Sequence, residues 1–159
     1  MTLRAFAFVL LLGPVVSAPA ETPADRWNLG DLYPTSQAWS ADAARLEAQM
    51  TELARCKGQL GKSAARLRQC LELRADATQR GWRLAVYAWE LLAEDTGVDA
   101  SIALSQQAER LRARFDEAVA FFEPEIQRLG AARVRRFVAQ EPALEVHRHP
   151  LDRTLRAAP

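Results

Sequence analysis

The chain is poor in the residues that most often carry chemistry. Its 159 residues include two cysteines, two histidines and two lysines, Lys57 and Lys62. There is no H-E-x-x-H, no E-x-x-H and no C-x-x-C. Zinc sites draw three or four ligands from such spacings, and di-iron bundles and attached haem need them as well. The histidines, His147 and His149, are two positions apart, so on a helix they point roughly 200° apart and share no metal face. No catalytic residue and no metal ligand is assigned on this basis. Excess charge of one sign is also missing: 21 basic against 20 acidic side chains give a formal charge of +1. That leaves no electrostatic case for nucleic acid or an anionic membrane. Gly61-Lys62-Ser63 has the end of a phosphate loop, but Cys56 stands where its first glycine belongs and no strand pattern precedes it. Internal repeats and low-complexity segments are absent too.

Apolar runs are short. The longest is Ala5–Val16, well under the roughly 20 residues of a membrane span. With Arg4 before it and Ala18-Pro19-Ala20 after it, residues 1–20 read as a signal peptide cut after Ala20. The mature chain is then expected to be exported, to the periplasm or outside the cell, with no membrane attachment once the signal is removed. Export bears on Cys56 and Cys70, a possible disulfide in an oxidising compartment. The alternative is two buried free thiols, because the pair is not obviously level on adjacent helices.

What the sequence has in quantity is helical periodicity. Residues 21–34 form an extended arm, broken by Pro23, Gly30 and Pro34 and carrying Trp27, Leu29, Leu32 and Tyr33 to bury. Thr35 or Ser36 caps a first helix striped by Trp39, Ala43, Leu46, Met50 and Leu53, which ends near Cys56. Ser63 caps a second, with Leu67, Cys70 and Leu71, expected to run on or bend between Arg74 and Gly81. Gly81 and Gly97 read as breakers around a helix whose stripe is Trp82, Val86, Trp89 and Leu92. Asp99 then caps a helix with Leu104, Ala108, Leu111, Phe115, Ala118 and Phe122 on one face. The aromatic stripe Trp82, Trp89, Phe115 and Phe122 is expected to be core. Glu123-Pro124 ends that helix and Gly130 closes a short one. A further helix spans 131–140, and Pro150 kinks or restarts the last. The fold class expected is all-α, a bundle of antiparallel hairpins with about five to six helices over 35–159. Glu94 and Asp95 stand at a helix C-terminus, where acids oppose the dipole. Two readings stay open for them: Asp95 answers the next helix or an arginine, or the pair faces a partner surface. Glu123 and Glu125 are read as solvated or at a helix N-terminus.

Function enters through a resemblance. Trp27-Asn28-Leu29-Gly30-Asp31-Leu32-Tyr33-Pro34, with Trp39 after it, resembles the opening of oligoendopeptidase F, a zinc metallopeptidase of the thimet-oligopeptidase group. The similarity continues through Lys57-Gly58-x-Leu60, Glu94-Asp95-Thr96 and Phe121-Phe122-Glu123-Pro124-Glu125-Ile126, and reaches Arg148-His149 and Leu155-Arg156. The resemblance implies the helical N-terminal region of such an enzyme, similar to a lid or wall over a channel that admits short peptides. It implies zinc and a catalytic H-E-x-x-H much later in the full-length proteins. No catalytic or zinc-binding role passes to any residue here, and substrate-binding residues are not identified. The expectation is a truncated domain, 35–159, that lacks the catalytic part, is inactive alone, carries no cofactor and meets peptide substrate only alongside that part. The alternative is a free-standing exported helical module that binds a partner.

Overall fold

The computed structural model of the chain describes residues 28–94 and 96–157. The signal peptide at 1–20, the start of the arm with Trp27, and Asp95 lie outside the described residues. A 3₁₀ turn at Leu29–Asp31 precedes α1 (Ser36–Ala54), α2 (Ala64–Glu94), α3 (Asp99–Val119) and α4 (Phe122–Gln140). A 3₁₀ helix at Pro142–His147 then leads into α5 (Arg148–Arg156). Every regular element among the described residues is helical, so the all-α reading holds.

Helix α1 starts where its cap predicts. The Thr35 hydroxyl accepts from the Ala38 N–H at 3.1 Å, which satisfies one of the free donors of the first turn. Its stripe of Trp39, Ala43, Leu46, Met50 and Leu53 is buried throughout. Ser63 caps α2 in the same way, accepting from the Arg66 N–H at 3.1 Å.

Helix α2 organises the rest, and here the sequence reading is corrected. It runs without interruption through Gly81. A glycine inside a helix costs about 1 kcal/mol against alanine, and packing on both sides outweighs that here. Gly81 lies against Leu46 of α1, and Leu84, Ala85, Tyr87 and Ala88 beyond it are all buried. With 31 residues α2 is about 46 Å long, whereas the 21 residues of α3 reach only about 31 Å. Helix α3 packs along α2 and α1. The early part of α2 extends past it and is met by α4 and the 3₁₀ helix, with α5 packed on both of those.

Helix α4 seats on the α1–α2 connection. The Gly58 N–H donates to the Glu125 carboxylate at 2.6 Å, and the Arg133 guanidinium donates to the Gly61 carbonyl at 2.5 Å. A Cβ on Gly61 would stand 2.7 Å from a Leu129 methyl, so α4 approaches the loop closely there and a larger residue would make the Leu129 side chain shift. Gly130, at φ 74° and ψ 157°, is non-helical inside α4 and divides it at a kink into two helical pieces, as expected from the sequence. Two boundaries differ from expectation. Val98, without a side-chain cap bond, occupies the N-cap of α3, and Asp99 is its first helical residue. Helix α3 ends at Val119, so Phe122 begins α4 with Pro124 in its first turn, where a missing N–H is tolerated.

Candidate functional site

Cys56 and Cys70 are bridged, with Cα atoms 5.9 Å apart and both side chains buried. The bridge fastens the loop after α1 to the first turns of α2, the segment on which α4 rests. Glu125 is committed to Gly58, while Glu123 and His149 are exposed. Glu94 is exposed at the end of α2. Among the described residues no three His, Cys, Asp or Glu side chains gather where they could hold a metal ion. The described residues therefore offer no such ligand set for the zinc that the resemblance implies for full-length enzymes.

The aromatic stripe corrects a second expectation. Phe122 is fully buried, but Trp82 is 59% exposed and Trp89 38%. From Trp82 to Ala93 α2 carries apolar residues on most of its circumference, so periodicity alone does not choose the inward face. The choice is made by α1: the Trp39 indole N–H donates to the Leu84 carbonyl at 2.9 Å and turns the Leu84–Ala88 side toward the core. The two displaced indoles meet edge to face, with centroids 6.2 Å apart. They line one wall of an open groove of about 460 Å³ between α2 and α3, opposite Phe115. The Trp89 N–H donates to the Glu109 carboxylate at 3.2 Å. Arg112 joins Glu109 at 3.0 Å and Asp116 at 3.3 Å along the rim. The groove has an apolar floor and a charge-paired edge, which suits contact with another protein surface or a peptide better than acid–base chemistry.

One polar network escaped the sequence reading. Asp42 is 5% exposed and lies on the α1 face that periodicity assigns to the core. Its carboxylate accepts from the Tyr33 hydroxyl at 2.7 Å and pairs with the Arg80 guanidinium, which also donates to the Gln49 side chain at 2.9 Å. Burial first, and then the bond to Asp42, hold the Tyr33 phenol protonated well above its ordinary range. Tyr33 also meets Tyr87 edge to face, and Arg83 covers its ring and donates to the Leu32 carbonyl. Tyr33, at the end of the arm, is thereby fixed to α1 and α2. The one available signal was an aspartate on an apolar stripe.

His147 sits half-buried at the end of the 3₁₀ helix, and its Nε2 has no hydrogen-bond partner among the described residues. Burial lowers its pKa; Glu72 opposes the shift and Arg74 adds to it. A depressed folded-state value means that the unfolded chain takes up the proton first as pH falls below 6.5, the ordinary value. The His147 contribution is complete above that pH and is lost between it and the lower folded-state value. Melting temperature is expected to fall over this window, and His147→Gln is expected to flatten that part of the profile. An unchanged slope in the variant assigns the loss to other groups.

No family model matches the chain. It is 26% identical to oligopeptidase PepF of Bacillus subtilis over 135 residues, which are 85% of this chain and 20% of that protein. It is 26% identical to group B oligopeptidase PepB of Streptococcus agalactiae over 124 residues, 78% of this chain and 21% of that protein. The crystal structure of oligoendopeptidase-F from Enterococcus faecium superposes with a TM-score of 0.73 at 27% identity, covering 76% of this chain and 23% of that one. The chain thus spans about one fifth of the length of the relatives it matches. In sequence and in backbone, over about four fifths of its residues, it is similar to oligopeptidases of the oligoendopeptidase F type.

Proposed function

We propose that this chain provides the helical wall of an exported oligoendopeptidase F-like peptidase, the part that restricts access to short peptides, and that it does not cleave peptides by itself. The observation that carries the reading is the similarity, along most of this chain, to oligopeptidases about five times as long as the matched segment. The rest of the argument is chemical. Zinc peptidases activate water with a metal held by two histidines and an acid, and these 159 residues contain no H-E-x-x-H. The open groove beside Trp82 and Trp89 supports a wall that works against another surface, because indoles gain most from burial at an interface.

The test is a peptidase assay on the purified chain with quenched fluorescent peptides and added zinc. No turnover above buffer is expected. Turnover that a chelator abolishes overturns the reading. The dye-binding arm of the same experiment probes the wall. A hydrophobic dye is expected to bind the chain and to lose most of its signal in a Trp82→Ser, Trp89→Ser variant. A chain that binds no dye counts against a face awaiting cover.

A further inference from the structure

The formal charge of +1 conceals a segregation of charge along the chain. Residues 53–71 contain no acid and five basic side chains, Arg55, Lys57, Lys62, Arg66 and Arg68. Residues 126–140 again contain no acid and carry Arg128, Arg133, Arg135 and Arg136. The balancing acids lie elsewhere: residues 84–109 hold five acids and no basic residue. The fold brings the two basic stretches together, because α4 seats on the α1–α2 connection through Glu125 on Gly58 and Arg133 on Gly61. Arg135 turns away, toward a cleft that Glu145 and Asp152 also line. Arg68 is neutralised by Glu72 and Glu141. The remaining seven form one basic face; six are exposed and Arg66 is half-buried. Among the described residues none of the seven meets a carboxylate, whereas Arg80, Arg112, Arg114 and Arg148 elsewhere all do. Glu125, the acid nearest to them in the fold, is half-buried and committed to the Gly58 N–H. Like charges gathered without acids repel one another, and a surface of opposite charge relieves them.

We propose that this face is a docking surface for an acidic polypeptide segment, with its carboxylates on the guanidinium forks. Three of the forks are already held in place. Arg66 donates to the Arg55 carbonyl at 3.1 Å, Arg128 to the Pro124 carbonyl at 3.2 Å and Arg133 to the Gly61 carbonyl. One N–H of each is used and the others stay available, so less side-chain freedom is lost when a carboxylate arrives. A fork matches a carboxylate in bidentate fashion. A lipid surface fits less well. No large apolar side chain is exposed in either stretch, and charge without an apolar anchor holds a membrane only weakly. Nucleic acid also fits less well. No aromatic ring is exposed there to stack on bases, and the bend at Gly130 leaves no straight basic helix for a major groove. The peptidase reading is not needed for this inference, because an active chain and an inactive one carry the same face.

The test is fluorescence anisotropy of a labelled oligo-glutamate, titrated with the purified full chain at low salt. A peptide of about ten residues reaches about 33 Å when extended, at about 3.3 Å per residue. Saturable binding is expected. It should weaken at least tenfold between about 20 mM and about 200 mM salt, as the screening length shrinks about threefold. Lys57→Gln, Lys62→Gln, Arg136→Gln together should weaken it at least tenfold. Those three side chains make no hydrogen bond or ion pair among the described residues, and circular dichroism checks the fold. Arg110→Gln, Arg153→Gln, Arg156→Gln removes the same charge outside both stretches and is expected to bind as the parent does. Equal weakening by the two sets overturns the proposal, because net charge alone then explains the binding. Nuclear magnetic resonance of the parent chain with the same peptide needs no variant: shifts should gather in 55–66 and 128–136, and shifts centred elsewhere overturn the proposal. Vesicles of phosphatidylserine and phosphatidylcholine, and duplex DNA, are expected to bind more weakly at equal charge concentration. Tighter binding of either assigns the face to a membrane or to nucleic acid and overturns the proposal, as does the absence of saturable peptide binding at low salt.

Discussion

Replacing Asp42 with alanine is expected to lower stability by about 3 kcal/mol, the lower end of what removing one member of a buried ion pair costs. The lower end applies because the Arg80 side chain keeps 26% of its surface in water, so part of the stranded charge can be rehydrated. The Tyr33 hydroxyl has no such escape. It is buried, its one hydrogen-bond partner among the described residues is the carboxylate, and losing that partner leaves an unsatisfied donor worth about 1–3 kcal/mol. Asp42→Asn keeps an acceptor for Tyr33 and removes only the charge, so it is expected to cost clearly less. Urea unfolding measures both: the midpoint should fall while the slope stays constant. A midpoint in Asp42→Ala within experimental error of the parent would remove the network from the account of how the arm is held. Tyr33→Phe in each background completes a double-mutant cycle, and the coupling should exceed about 0.5 kcal/mol for residues in direct contact.

Asp42 also shows where reading the sequence stops. The α1 stripe could be read because Trp39, Ala43, Leu46, Met50 and Leu53 recur at one spacing, and that face has only one way to turn. An aspartate on that face gives no sign of its partners, because Arg80 lies 38 residues away and the hairpin register decides which arginine arrives. Helix α2 poses the opposite difficulty. From Trp82 on, apolar residues on most sides supply several possible inward faces, and spacing alone does not show that Trp82 and Trp89 face outward. Gly81 misled for a related reason: its intrinsic cost is small beside the burial of the Leu84–Ala88 side. Nothing in a pattern of spacings could have placed Arg74 next to His147, since α4 must first fold back over the α1–α2 loop. The resemblance to the peptidases reaches further than periodicity because it compares whole stretches, such as Phe121–Ile126, rather than the spacing of apolar positions.

Removing the Cys56–Cys70 bridge is expected to cost about 3 kcal/mol, the chain-entropy figure for a closed loop of this size, the cysteines being 14 positions apart. The effect should extend beyond the loop. Gly58, Gly61 and the Arg55 carbonyl, all close to the bridge in sequence, bond to Glu125, Arg133 and Arg66, so the same segment that the bridge restrains is the platform for α4. Loosening it should weaken the docking of α4, and with it α5, before the α1–α2–α3 packing is affected. Hydrogen exchange on a Cys56→Ala, Cys70→Ala variant is the measurement. Amides of α4 and α5 should lose more protection than those around Trp39 and Leu84, which are held by a contact that does not involve the loop. Alanine is the replacement of choice because both cysteines are buried and a serine hydroxyl would add its own desolvation cost. Uniform loss across all helices would show that the bridge acts only on the unfolded chain. Unchanged protection and an unchanged urea midpoint would show that the bridge does not form in solution. Glu125→Gln separates the two roles of the loop: it weakens the contact to Gly58 and leaves the cysteines in place. It should therefore reproduce the selective loosening of α4 with only a small change, about 1 kcal/mol, in global stability.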